Sequence, residues 1–366
     1  MKILIVSLLK RPVTPTIPAS RPRVIYDLVS GLIRKGHDVT ILGTGDSEVP
    51  GAKIIPVVPI ALSELPPFEN AFYAHTAMLT LLVEKLREIG NDFDIIHNHT
   101  YPEFLPLLVA KDIQKPVVTT IHGQVFPEFD QAFSLFDKRS YLVSISEAHK
   151  KLFKHTVIYD VVHNGIDTDL YAYQEKKDDY LLWLGRLSSA KEADGSYQDP
   201  KGIRWAIELA EKTNSRLLLS GNVEDIKFYK QDVEPHLSDK IKWIGPVTNE
   251  LSLSKPEVVK LMQNAKAFLM TINWYEPFGL VMAESMSCGT PVIGFDRGSV
   301  SEVIGNGKTG FVVSPDEGIQ GLVKAYERLS EIKSSDCRTR VENHFSLQSM
   351  VEGYEKVYQT VINEKS

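Results

Sequence analysis

The chain has 366 residues, enough for about two domains with well-buried cores, and its 43% apolar and 24% charged residues are ordinary for a globular protein. A net charge of -6 argues against nonspecific nucleic-acid binding, which depends on basic patches that displace counterions. Only Cys288 and Cys337 are present, too few for a disulfide framework and without paired zinc-ligand spacing, which fits a reducing cytoplasm; Cys288 reads as a small core residue.

The first apolar run stops at Lys10, Arg11 and Pro12 and has no small-residue cleavage site, so it predicts a buried strand and not a leader. No run of about 18 apolar residues follows, which argues against a spanning helix and leaves peripheral membrane contact open. Short apolar runs then alternate with longer helical patterns, the mark of parallel sheets wound with crossover helices. Strands are predicted at Ile3 to Val6, Val39 to Leu42, Ile54 to Val58, Ile95 to Ile96, Val117 to Ile121, Tyr141 to Ser144 and Val157 to Val162. Helices fit over Arg23 to Lys35, closed by Gly36, and over Ala71 to Ile89, closed by Gly90. After Asn164 and Gly165 the series restarts, with strands at Tyr180 to Leu184, Arg216 to Leu219, Ile241 to Ile244, Ala267 to Met270, Pro291 to Gly294 and Gly310 to Val313. The pattern is α/β: two doubly wound, Rossmann-like domains, 1–163 and 164–345, with a ligand cleft expected at facing carboxyl ends of strands. A terminal helical segment, 346–366, has apolar residues at Leu347, Met350, Val351, Tyr354, Val357, Tyr358 and Val361.

The most informative stretch is Glu276-Pro-Phe-Gly-Leu-Val-Met-Ala-Glu284. Pro277 and Gly279 precede an apolar segment, so the run reads as a loop feeding a helix near Leu280, with one carboxylate in the loop and the other about one turn inside. The amides of Phe278, Gly279 and Leu280 then stand at the positive end of the helix dipole, where phosphate binds. Carboxylates accept hydrogen bonds from vicinal hydroxyls, so a phosphorylated sugar fits both. By contrast Gly305-Asn-Gly-Lys-Thr-Gly310 matches a dinucleotide fingerprint only literally. It precedes a strand and follows a helix, the reverse of what phosphate binding at a helix start requires.

Trp274 to Val313, with Glu-x7-Glu, Cys-Gly-Thr-Pro-Val-Ile-Gly from Cys288 and Gly-Lys-Thr-Gly-Phe-Val-Val from Gly307, resembles the retaining glycosyltransferases of family 4, glycosyl transferases group 1. The resemblance implies the two-domain GT-B fold, with the terminal helix crossing back to the first domain. It implies that Glu284 binds the ribose of a nucleoside-diphosphate sugar and that Glu276 faces the donor sugar hydroxyls. A leaving diphosphate needs fixed cations and oriented amides when no metal is held. Gly185-Arg186-Leu187 fits that need, and the family's pattern continues through three variable residues to Lys-Gly. Here Lys191 has the spacing but is followed by Glu192, whereas Lys201-Gly202 opens a helix over Ile203 to Glu211 after an insertion. Helix context favours Lys201, and Lys191 stays open.

Ser220-Gly221-Asn222 ends a strand where glycine lets main chain approach a ligand, or else forms a simple turn. Gly245-Pro246-Val247 corresponds to a family segment lying against the nucleotide base, and equally fits a structural turn. His122, at the end of Val117 to Ile121, matches a family histidine that contacts the donor sugar. His97 and His99 lack a nearby third ligand, so structural or acceptor-side roles are favoured over a metal. Asn164-Gly-Ile-Asp167 resembles the interdomain hinge. The loop Pro12 to Pro22 departs from the family, which has glycines there; this one carries four prolines with Arg11, Arg21 and then Arg23, facing an anionic group or solvent.

The expected activity is transfer of a sugar, with retention, from a nucleoside-diphosphate sugar to an acceptor hydroxyl, with no cofactor and no metal. Family frequency favours a UDP-sugar such as UDP-glucose over guanosine diphosphate mannose. The acceptor, whether small molecule, glycan or lipid-linked, is not legible. Alternatives are a GT-B sugar phosphorylase or epimerase, and a nucleotide-sugar binding protein without turnover. A nicotinamide-dependent oxidoreductase is disfavoured because no glycine fingerprint follows the first strand.

Overall fold

The computed structural model describes residues 1–17, 20–136, 139–249 and 253–365. Pro18 of the proline-rich loop and Ser366 lie outside them. The chain divides into two compact units, one of Met1–Ile166 with Leu347–Ser366, the other of Asp167–Ser346.

In the first unit strands β1 (Lys2–Val6), β2 (Asp38–Thr44), β3 (Lys53–Val58), β4 (Ile95–Asn98), β5 (Val117–Ile121), β6 (Tyr141–Ser144) and β7 (Asp160–Val161) form a parallel sheet of order β3-β2-β1-β4-β5-β6-β7. Ile3, Leu4, Ile5 and Val6 are wholly buried, as a central parallel strand covered on both faces requires. The crossovers carry helices α1 (Ser20–Arg34), α2 (Ala71–Ile89), α3 (Pro127–Ser134) and α4 (Glu147–Lys150). α1 starts three residues before its predicted position because Pro22 is accommodated in the first turn, where proline has no needed amide to lose. The Asn70 side chain caps α2 by accepting from the Tyr73 amide at 3.0 Å. β7 is shorter than Val157 to Val162: it is the sheet's edge, and Val157 is exposed.

The second unit has β8 (Leu181–Leu184), α5 (Ile203–Thr213), β9 (Leu217–Ser220), α6 (Ile226–Asp232), β10 (Ile241–Trp243), α7 (Lys255–Asn264), β11 (Ala267–Met270), α8 (Leu280–Ser287), β12 (Val292–Phe295), α9 (Val300–Val303), β13 (Gly310–Val313), α10 (Gly318–Glu327) and α11 (Ser334–His344). Its parallel sheet has the order β10-β9-β8-β11-β12-β13. Strand order therefore reverses between β1 and β4 in one unit and between β8 and β11 in the other. In open α/β sheets ligands bind beyond the carboxyl ends of the strands at such points.

The last helix, α12 (Leu347–Lys365), packs on α1 of the first unit, with Gly31 giving Val351 its place. Its predicted apolar face is buried from Met350 to Val361. Gly305 to Gly310 lies after α9 and leads into β13, so it forms no strand-to-helix phosphate loop. Cys288 and Cys337 are free, buried thiols that burial pushes up to about 12. No helix among the described residues is long and apolar enough to cross a membrane.

Candidate active site

Beyond the carboxyl end of β11 the chain runs through a loop into α8. Glu276 lies in that loop and Glu284 just over one turn into the helix, each largely buried. Gly279 makes the turn at φ 74°, a left-handed conformation that L side chains rarely adopt. The loop is fixed from beneath: the Ser299 amide donates to the Glu276 carbonyl at 2.9 Å and the Ser299 hydroxyl to the Phe278 carbonyl at 2.8 Å. Phe278 has its ring in the core against Phe345. Gly279, Leu280 and Val281 stay partly exposed, and the amides of Gly279 and Leu280 take no partner among the described residues.

Lys201 comes to the same place from the head of α5. Its Nζ donates to Glu276 Oε2 at 3.0 Å and stands 4.3 Å from the centre of the Trp274 ring. The start of α5 is already capped, because Asp199 accepts from the Ile203 and Arg204 amides, each at 3.0 Å. Burial pushes the Asp199 carboxyl up, against the pull of those amides and Arg204. The two helix starts thus differ: α5 holds an internal anion, and α8 keeps free donors. Lys191 is engaged elsewhere. It pairs with Tyr197 across the insertion, with Nζ 4.6 Å from that ring's centre.

Gly185 follows β8 and fits against Trp183 and Lys201. Gly221, after β9, has a packing reason to be glycine: a Cβ there would lie 1.6 Å from the Gly185 carbonyl oxygen. Arg186 is half-exposed and donates to Glu224 at 2.8 Å. Burial pushes Glu224 up, but the Ser189 amide and Arg186 outweigh it and hold the carboxyl low. Asn222 ties loops together, accepting from the Leu187 amide at 2.8 Å and donating to the Asn249 carbonyl at 3.3 Å. Val247 packs on the core, and the Pro246 carbonyl accepts from Trp243 Nε1 at 3.5 Å.

In the first unit His122 follows β5 and is partly exposed, whereas His97 and His99 are wholly buried. His99 Nδ1 meets His122 Nε2 at 2.8 Å, and His99 Nε2 meets His97 Nδ1 at 3.1 Å. Burial, with the Arg21 guanidinium second, lowers His99 to about 3 and holds His122 well below the usual histidine range; burial and then His99 do the same for His97. His149, lowered to about 4 by burial against the pull of the Gly123 carbonyl, donates to that carbonyl at 2.8 Å and steadies the residue after His122. Arg21 of the proline-rich segment finds its anion inside the protein, pairing with buried Glu103 at 2.9 Å, while Arg23 pairs with Asp27 within α1. No three His, Cys, Asp or Glu side chains among the described residues are grouped to hold a metal ion.

Two family models match this chain, Glycosyltransferase Family 4 over residues 22–170 and Glycosyl transferases group 1 over residues 172–344. The chain belongs to the family 4 glycosyltransferases. It is 23% identical to the putative glycosyltransferase YtcC of Bacillus subtilis over 100% of this chain and 94% of that protein. It is 24% identical to the N-acetyl-alpha-D-glucosaminyl L-malate synthase of Bacillus anthracis, covering 92% of this chain and 93% of that one. Among solved structures, sucrose-phosphate synthase from Thermosynechococcus elongatus matches 99% of both chains with a TM-score of 0.75 at 17% identity. Anabaena Alr3699/HepE, in complex with UDP and glucose, matches 98% of this chain and 100% of its own with a TM-score of 0.68 at 17% identity. The fold is that of these GT-B neighbours, with the two doubly wound sheets that the strand pattern predicts and the GT-B architecture that the resemblance implies.

For this family 4 glycosyltransferase the structure gathers Gly185, Lys201, Glu276 and Gly279 around the β8–β11 switch point. It adds residues that sequence reasoning missed. Trp274 lies under Lys201, and the only signal was its place two residues before Glu276. Gly298 pairs with Glu276 through the main chain. Trp274 Nε1 and Arg297 Nε are buried donors without a partner among the described residues, beside the same loop.

Proposed function

We propose that the enzyme transfers a sugar, with retention, from a nucleoside-diphosphate sugar to an acceptor hydroxyl. The observation that carries this reading is the Lys201–Glu276 pair beside the uncapped start of α8 at a sheet switch point. The Gly279 and Leu280 amides with Lys201 and Arg186 hold the diphosphate, Glu284 accepts from the ribose hydroxyls, and Glu276 positions the sugar and stabilises positive charge on it. His122 orients a sugar hydroxyl. Pro246 and Val247 flank the base, with Gly185, Gly221 and Asn222 as the wall that keeps these loops in register. As the bond from the anomeric carbon to the diphosphate oxygen breaks, the acceptor oxygen bonds to that carbon on the same face. The acceptor proton passes to a diphosphate oxygen, so no side-chain base is compulsory. We favour a UDP-sugar, since a neighbour of the same fold is solved with UDP and glucose. We read the enzyme as metal-independent and cytoplasmic.

A panel of nucleotide sugars in a thermal-shift assay tests this. The cognate donor at 100 times its dissociation constant adds about 2.7 kcal/mol of stability, with or without chelator. No shift with any nucleotide sugar overturns the donor assignment, and a shift lost on chelation overturns metal independence. Product of inverted anomeric configuration overturns retention. Sugar phosphate formed from a glycoside and inorganic phosphate, with the aglycone hydroxyl released and no nucleotide present, would identify a phosphorylase instead.

A further inference from the structure

The three buried imidazoles of the first unit are the middle of a longer hydrogen-bonded set that reaches α12. His97 Nδ1 meets the Tyr358 hydroxyl at 2.6 Å, as well as His99 Nε2. His97 Nε2 meets the Thr120 hydroxyl at 2.7 Å, and Thr120 meets the Tyr354 hydroxyl at 2.8 Å. All of these groups except His122 are buried.

Burial keeps the imidazoles neutral, with the Arg21 cation, itself paired to Glu103, opposing protonation of His99 and His122. A neutral imidazole has one N–H and one bare nitrogen, so the protons along His97, His99 and His122 must all point the same way. Two arrangements satisfy this. In the first, Tyr358 donates to a bare His97 Nδ1, His97 Nε2–H donates to Thr120, each histidine in turn carries its proton on Nε2, and His122 shows a bare Nδ1 outward. In the second, Tyr354 donates to Thr120, Thr120 donates to a bare His97 Nε2, and His122 presents Nδ1–H outward. Each arrangement leaves one hydroxyl proton of the set without an acceptor within it, that of Thr120 or Tyr354 in the first and that of Tyr358 in the second. The 2.6 Å contact distinguishes them: it is ordinary for a hydroxyl donor and short for an N–H donor, whose range begins near 2.7 Å.

We infer that Tyr358 and Tyr354 are opposed positioning residues which, through His97 and His99, set whether His122 accepts or donates a hydrogen bond, and that Tyr358 prevails. His122 therefore accepts from a hydroxyl. The tautomer argument stands on the first unit alone; its catalytic consequence rests on the role proposed for His122.

Long-range proton–nitrogen correlation spectra of the full chain labelled with 15N-histidine test it, with signals assigned from His97→Asn, His99→Asn and His122→Asn. The unaltered chain is expected to show a proton on Nε2 and a bare Nδ1 at both His97 and His122. Tyr354→Phe keeps that state, and Tyr358→Phe moves both rings to Nδ1–H. Identical tautomers in all three chains, or Nδ1–H in the unaltered one, overturn the inference. In steady-state turnover Tyr358→Phe lowers kcat/KM for the donor roughly tenfold, and Tyr354→Phe changes it less than about threefold. Equal losses in the two overturn the inference as well. If His122→Asn leaves turnover intact while the tautomers move as stated, the relay stands and the assigned role of His122 falls. Should His122→Asn abolish turnover while no tautomer moves, the reverse holds.

Discussion

Lys201 and Lys191 were alternatives for one proposed role, and their surroundings differ. Lys201 is stacked on Trp274 and bonded to Glu276, which fixes its side chain where the proposed diphosphate contact needs it. Lys191 spends its charge on the face of Tyr197. Lys201→Ala is expected to lower kcat/KM for the donor by about 100-fold or more, while Lys191→Ala stays within about threefold; steady-state kinetics on the two variants check this. Glu284→Ala is expected to raise the Michaelis constant for the donor more than it lowers kcat, because ribose lies away from the breaking bond; an unchanged constant contradicts the ribose role. The glutamates and Lys201 were legible because local order fixes a residue in a loop or at a helix head. Trp274 was not, since what makes it a partner of Lys201 is a contact across 73 positions, 274 − 201.

Among the elements, the starts of α5 and α8 look alike in sequence, each led by glycine. Asp199 distinguishes them, and its role as an internal cap depends on a turn through Pro200 that no periodicity reveals. The strands themselves were legible almost to the residue, because fully buried parallel strands need unbroken apolar runs. β7 fell furthest short of its predicted span, with Val157 exposed, while β8 and β10 each lack one predicted residue. The loops after β8 and β9 are pressed together at Gly185 and Gly221. Gly221→Ala is expected to cost about 2 kcal/mol or more through that main-chain collision, read as a lower urea midpoint with unchanged slope; an unaltered midpoint would show that the loops yield freely.

For the molecule as a whole, the imidazole network gives stability an acid limb that begins well above the carboxylate range. His97, His99, His122 and His149 all have folded values depressed by burial, so between their unfolded value near 6.5 and their folded values the unfolded chain binds more protons than the native one. Their contribution is complete above about pH 6.5 and is lost as the pH falls below it. Stability should therefore fall from pH 7 to pH 5, with a slope of up to about 1.4 kcal/mol per pH unit for each refused proton, measured by urea unfolding; a flat profile over that window contradicts the burial of these rings. This network was the least legible part of the chain. His97 and His99 showed only that they lacked a third ligand, and their partner Tyr358 lies 261 positions away.

That partner sits on α12, which is made after the whole of the second unit. On the ribosome the amino-terminal sheet is made early yet must wait for the 192 residues from Asp167 to Tyr358 before Tyr358 can cover His97. At ~5–20 residues per second the delay is roughly 10 to 40 s. Throughout it the face of α1 that α12 will cover, around Gly31, has no helix to pack against.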